Sequence, residues 1–313
     1  VRGVLAGFAT ISIVIGLGFL LAQLKILDAT AQGVLTRVAF YVASPALMIT
    51  VLGGTDIHRL FSANLIASLG SVAVVATTAV LLARLLWKRE AGDTVIAAFS
   101  AAYVNASNLG LPIAAYALGD AALVAPMLLA QLVILQPTGL AVLDAITYVP
   151  APGTSERRLL HIRLSQPFRN PLAVGSLIGL VLALTGIKLP VIINAPLTLV
   201  GGIAVPSMLL AYGISLRLGP LPGAGEPRIQ IATLATLKLV VQPAVAYLIG
   251  AYVVGLTSHD LLAVSVIAAL PTAQNIFTFA LRYDRGMILA RDMIFVTTVL
   301  SVPVILIITW LLA

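Results

Sequence analysis

Charge is what this chain has least of. Of its 313 residues only 9% are Asp, Glu, Lys or Arg, against 60% hydrophobic residues, and its mean hydropathy is +1.11. A water-soluble globule carries about a quarter charged residues, so a polar, hydrated surface is excluded. Cysteine is absent, which removes disulfides and thiolate chemistry. There are three histidines, His58, His161 and His259, and they fall in connections between apolar segments. The eleven acids are dispersed. An intramembrane enzyme acting on lipid needs clustered carboxylates or a His-rich set, so no enzyme, metal or cofactor is expected.

What is present is a succession of apolar segments long enough to cross a 30 Å hydrocarbon core, which takes about 20 helical residues. Ten are expected, near 4–24, 32–53, 62–86, 94–118, 122–147, 170–187, 191–216, 228–256, 260–282 and 287–312. The first is long enough to be a spanning helix rather than a signal peptide. The fold class is therefore an all-α, multi-pass protein of the cell membrane. A net charge of +7 would suit nucleic acid, but the placement of the basic residues speaks for topology instead. With the N-terminus outside, Lys25, Arg37, Arg84, Lys88, Arg89, Arg157, Arg158, Arg163, Arg169, Arg217, Arg228, Arg282, Arg285 and Arg291 fall on one side. Arg2, Arg59 and Lys188 fall on the other. The basic side is cytoplasmic, so both termini are expected outside. Trp87 and Trp310 then sit near opposite interfaces.

The halves repeat. GLGFLLAQLKIL from Gly16 and GLVLALTGIKLP from Gly179 are offset by 163 residues. The pairs Pro45 and Pro206, Pro112 and Pro271, and Pro137 and Pro303 are offset by 161, 159 and 166. Four landmarks at nearly one spacing indicate a duplicated five-helix unit, residues 1–148 and 169–313, joined by a cytoplasmic linker, 149–168. An odd number of spans inverts the second copy, the plan of secondary transporters. Pro45 and Pro206 are expected to break their helices.

In the fourth span, residues 105–112 read NASNLGLP. Pro112 lacks an amide hydrogen, Gly110 loosens the backbone, and Asn105 and Asn108 supply groups for the loose ends. The matching place in the ninth span reads LPTAQN, with Pro271, Thr272, Gln274 and Asn275. Two antiparallel helices are thus expected to break at one depth. Hydrocarbon penalises free backbone groups by several kcal/mol each, so both breaks must face protein or a water-filled cavity. Broken half-helices with amide side chains suit a substrate or ion site. Tyr103, just before the first break, is a further candidate for substrate contact.

NASNLGLPIA, PTAQNIFTFALRY and FYVASPALMI resemble the auxin efflux carrier family, in particular its short bacterial members of malonate-carrier type, over essentially the whole chain. The sequence departs from the plant members in lacking a long cytoplasmic loop and in reading TAQN after Pro271. The resemblance implies that Asn105, Gly110, Pro112 and Pro271 belong to crossed broken helices holding an organic carboxylate. It further implies a scaffold of spans 1, 2, 6 and 7, a mobile transport part of spans 3–5 and 8–10 moving as an elevator, and a homodimer.

Lys238 falls about ten residues into the eighth span, near mid-membrane, where a charge is costly and usually functional. Pro243 frees the carbonyl of Leu239 beside it, an expected partner. Four readings stand open: balancing half-helix C-terminal dipoles, a neutral amine through desolvation, attracting an anionic substrate, or coupling to a proton. No Asp or Glu shares its depth, whereas sodium and proton antiporters of similar plan carry one beside the crossing. The alternative of a sodium-coupled carrier like the bile-acid symporters is separated from the first reading by sodium-dependent uptake.

Overall fold

The computed structural model describes residues 2–54, 63–110, 113–114, 118, 121–147, 171–219, 223 and 225–312. The linker 149–168 and Pro112 lie outside the described residues, as does the side chain of Asn108. The described chain is helical, with no strand; Val104 and Thr272 form an isolated antiparallel bridge. Helices α1 (Arg2–Gln23), α2 (Ala29–Gly53), α3 (Ala63–Leu86), α4 (Ala91–Ala102) and α5 (Pro126–Thr147) are followed by α6 (Pro171–Thr185), α7 (Val191–Leu218) and α8 (Arg228–Val254). Then come α9 (Ser258–Ala268), α10 (Asn275–Tyr283) and α11 (Met287–Leu312). Six of these, α2, α3, α5, α7, α8 and α11, are long and apolar enough to cross a membrane, and shorter apolar helices accompany them.

Helix ends follow local chemistry. Asp28 caps α2 by accepting from the Ala31 amide at 2.8 Å, and Thr257 caps α9. Gly255, at φ +70°, stops α8 in the left-handed region that glycine enters without penalty.

Proline behaves differently from expectation in α2. Pro45 does not break the helix: the five-residue π turn Ala39–Ala43 ends just before it and the helix runs on to Gly53. The same device recurs at Pro137, after Gln131–Leu135, and at Pro243, after Leu237–Val241. A proline ring strikes the carbonyl four residues back, here that of Tyr41, Val133 or Leu239, and each of these lies inside the widened turn. Pro206, by contrast, follows a real interruption, with α7 leaving helical pairing at Ile203.

The helices pack in two groups. Helices α1, α2, α6 and α7 lie against one another. Small residues make this close: a Cβ at Gly175 would come 2.7 Å from the Pro45 carbonyl oxygen, and one at Gly179 2.7 Å from that of Met48. The GxxxG spacing of α6 is thus used within the chain. Helices α3, α4, α8, α9 and α11 form the second group around a core that includes Val75, Ala101, Leu234, Val266 and Leu289. Outward faces are apolar, with Ile192 and Trp310 more than 80% exposed, as a lipid-facing surface requires. Asp292, at the cytoplasmic start of α11 in the expected topology, is buried, pairs with Arg291 at 2.7 Å and accepts from the Gly223 amide.

Candidate functional site

Helix α4 stops at Ala102 and the chain runs extended through Tyr103 and Val104 before the π turn Ala106–Gly110. Helix α9 stops at Ala268, and α10 begins at Asn275. The two interruptions cross. The Asn105 amide donates to the Pro271 carbonyl at 2.9 Å, and the Ala273 amide donates to Tyr103 O at 3.3 Å. This short pairing answers part of the backbone problem posed by breaking a helix in an apolar setting.

Three further carbonyls at the two C-termini are satisfied by side chains. Ser100 O accepts from the Thr272 hydroxyl at 2.6 Å, and Ala102 O accepts from Gln242 Nε2 at 3.0 Å. Ala268 O accepts from Lys238 Nζ at 2.9 Å. Lys238 also donates to Gln242 Oε1 at 2.7 Å. Its expected neighbour, the carbonyl of Leu239, lies within the π turn that precedes Pro243, and the ammonium reaches across to α9 instead.

A cavity of about 260 Å3 opens beside the crossing. Its polar lining comprises Tyr103, Asn105, Gln274 and Asn275 from the crossing, Gln131 and Gln136 from α5, Ser44 from α2 and Thr278 from α10. Apolar walls are provided by Phe40, Leu47, Met48 and Val51 of α2, Leu132 of α5, Met208 of α7 and Phe279 of α10, among others. No Lys, Arg, Asp or Glu lines it among the described residues.

The amides form a connected set. Asn105 Nδ2 donates to Gln274 Oε1 at 2.7 Å. Gln131 Nε2 holds Val104 O at 2.8 Å, which fixes the extended segment. Gln136 Oε1 accepts from the Tyr103 hydroxyl at 3.3 Å and from Asn275 Nδ2 at 3.4 Å. Gln136 Nε2 and Asn275 Oδ1 are buried with no protein partner. Both residues line the cavity, and a buried polar group left without a partner is costly, so this donor and this acceptor stand available beside the cavity. The N-terminal end of α10, with its partial positive charge, points from the same place.

Of the residues singled out in the sequence, Tyr103, Asn105, Gln274 and Asn275 meet in the cavity wall. Thr272 and Pro271 serve the crossing itself, Thr272 being wholly buried with its amide on the Thr297 hydroxyl at 3.0 Å. Gly110 packs against Val124 and Leu270, where a Cβ would lie 2.8 Å from Val124 Cγ2. Lys238 stands behind the crossing and not in the cavity wall. Sequence reasoning missed Gln131 and Gln136. Five residues apart, they diverge by about 140° on a regular helix. The π turn between them, in which the Gln136 amide bonds Gln131 O, brings both to one face.

A family model described as "Membrane transport protein" matches residues 4–309. A protein of Rhizobium meliloti (strain 1021) named "Putative malonate transporter" is 27% identical over 294 residues, covering 91% of this chain and 88% of that protein.

Proposed function

The chain belongs to the membrane transport protein family, that of the auxin efflux carriers, and we propose that it is a secondary transporter for a small organic carboxylate. The observation that carries this reading is the set of neutral amides in an uncharged cavity where two interrupted helices cross. Amide donors and a half-helix N-terminus stabilise an anion without fixing it so tightly that it cannot leave. A strong cation in the wall would hold it longer. The volume, about 260 Å3, is below the roughly 300–1,000 Å3 of pockets for drug-sized ligands. That favours a small acid over a bulky one. The name of the Rhizobium relative brings malonate to the head of the candidates.

In this reading Asn105, Gln274, Asn275, Gln136 and Tyr103 contact the carboxylate, and Asn108 and Pro112 complete the first break. The ten spans form two inverted five-helix repeats, 1–148 and 169–313, with both termini outside. Helices α1, α2, α6 and α7 act as a scaffold, paired with a second copy in a homodimer, and the other helices carry the crossing across the membrane as an elevator. The mutual packing of those two helix groups supports this division, and the cavity is lined from both, by α2 and α7 on one side and the crossing on the other.

The test is uptake of radiolabelled malonate into proteoliposomes, with succinate, acetate and the uncharged isostere malonamide as competitors. Saturable uptake that carboxylates compete and malonamide does not is expected. Absence of uptake and of binding for every acid tested, or equal competition by malonamide, would overturn the reading.

A further inference from the structure

Lys238 and Gln242 are each wholly buried, one turn apart on α8, and the carboxylate site does not use them. Both sides of the crossing converge on the pair: Nζ lies 2.9 Å from Ala268 O at the end of α9, and Gln242 Nε2 lies 3.0 Å from Ala102 O at the end of α4. Gln242 Oε1, at 2.7 Å from Nζ, links the two ends through one amide. Each helix C-terminus carries about half a negative elementary charge, so two together amount to about one. Among the described residues the ion pairs are Arg89 with Glu226, Arg285 with Glu90, and Arg291 with Asp292, so no carboxylate is paired with this ammonium. The compensation available to it is therefore that of the two helix ends.

We propose that Lys238 is a built-in cation: its ammonium, held by carbonyl and amide oxygens, neutralises the C-termini of both interrupted helices at the crossing, where a cation-coupled carrier would need to bind a free alkali ion. Oxygen ligands of this type are those a hard monovalent cation seeks, and here a tethered one supplies the charge. With the negative ends neutralised, the field left at the crossing is that of the N-terminal side, which faces the cavity and favours an anion. Lys238 is thus a positioning residue. It touches no substrate and acts through α4 and α9, which lead into Tyr103 to Asn105 and, five residues on, Ala273 to Asn275, all in the cavity wall. The consequence is a carrier whose anion step proceeds with no alkali cation bound.

The rival is that Lys238 serves only as a hydrogen-bond donor, for which a neutral group suffices. Three measurements separate the two. The transport arm rests on the carboxylate reading given above. Wild-type uptake of malonate is expected to be unchanged when sodium and potassium are replaced by choline. Lys238→Gln, which keeps a donor without charge, is expected to weaken binding roughly threefold to thirtyfold, the scale of a buried charge acting on helix termini. Lys238→Ala, which leaves a space bounded by oxygens, is expected to be equally impaired, and methylammonium, but not the larger tetraethylammonium, to restore binding and raise its melting temperature. A sodium requirement in the wild type, wild-type affinity in Lys238→Gln, or a Lys238→Ala protein indifferent to methylammonium would each overturn the proposal. Should Lys238→Ala not be recovered folded, the wild-type ion replacement and Lys238→Gln still decide. Should the wild type bind no carboxylate, the carboxylate reading fails while the methylammonium melting shift still reports on the cation.

Discussion

Gln131 and Gln136 line one cavity from one helix, yet their bonding assigns them opposite sensitivities. Gln131 Nε2 makes a 2.8 Å bond to Val104 O, a carbonyl in the extended stretch with no helix to pair it. Gln131→Met keeps the volume but removes one of the two bonds to that buried carbonyl, the other coming from the Ala106 amide at 2.9 Å, and so destabilises by about 1–1.5 kcal/mol. Gln136 Oε1 has two long bonds, 3.3 and 3.4 Å, and its Nε2 has no protein partner. Bonds at the weak end of the range contribute little, and the Nε2 that the change removes has no bond to lose. Gln136→Met should therefore change stability by less than about 1 kcal/mol. If Nε2 donates to a bound carboxylate, however, the same substitution removes a charge-assisted bond of about 1.5–3 kcal/mol, a loss of affinity of roughly tenfold to a hundredfold. Melting temperature in detergent and calorimetric titration with malonate, measured on both variants, read the two quantities separately. A Gln136→Met protein with lowered melting temperature and wild-type affinity would refute the reasoning, because the free donor would then be a structural group and not a binding one.

Other outcomes follow from the same geometry. Asn105→Ala loses the 2.7 Å bond to Gln274 Oε1 and should bind malonate roughly tenfold to a hundredfold more weakly; Asn105→Asp should be worse still, since it sets carboxylate against carboxylate, and equal affinities for the two would contradict this. Gly179→Leu forces a Cβ to within 2.7 Å of Met48 O and 2.8 Å of Leu52 Cβ, so it should destabilise by about 1–3 kcal/mol, seen as a lower melting temperature. The native chain has no cysteine, so a single Arg157→Cys variant gives labelling without background; an impermeant maleimide should reach it only from the cytoplasmic side, and labelling from outside would reverse the topology.

The crossing was legible because its chemistry is unusual for hydrocarbon: asparagine, glutamine, glycine and proline clustered mid-span announce a break, and Asn105, Gln274 and Asn275 do meet there. The prolines were less transparent. Pro45, Pro137 and Pro243 each sit beyond a π turn that absorbs the ring, and no 3.6-residue periodicity reports such a turn. That is why Gln131 and Gln136 escaped notice and why Pro45 was expected to break α2. The position of Lys238 near mid-span was readable from counting. Its partner was not, because Ala268 lies thirty residues away on another helix and a backbone carbonyl leaves no mark in sequence. Likewise Thr272 looked like a ligand for substrate, whereas its hydroxyl is spent on Ser100 O.

The central claim, that a carboxylate is held where the two interrupted helices cross, is tested most directly by a structure of the protein determined with malonate bound. Density for the ligand in the cavity is expected, with a carboxylate oxygen within hydrogen-bond reach of Gln136 Nε2 and of the amide of Asn105 or Asn275, and with the Asn105 amide still on the Pro271 carbonyl. Malonate bound away from this cavity, with the amides unchanged and the cavity filled by water, would contradict the account.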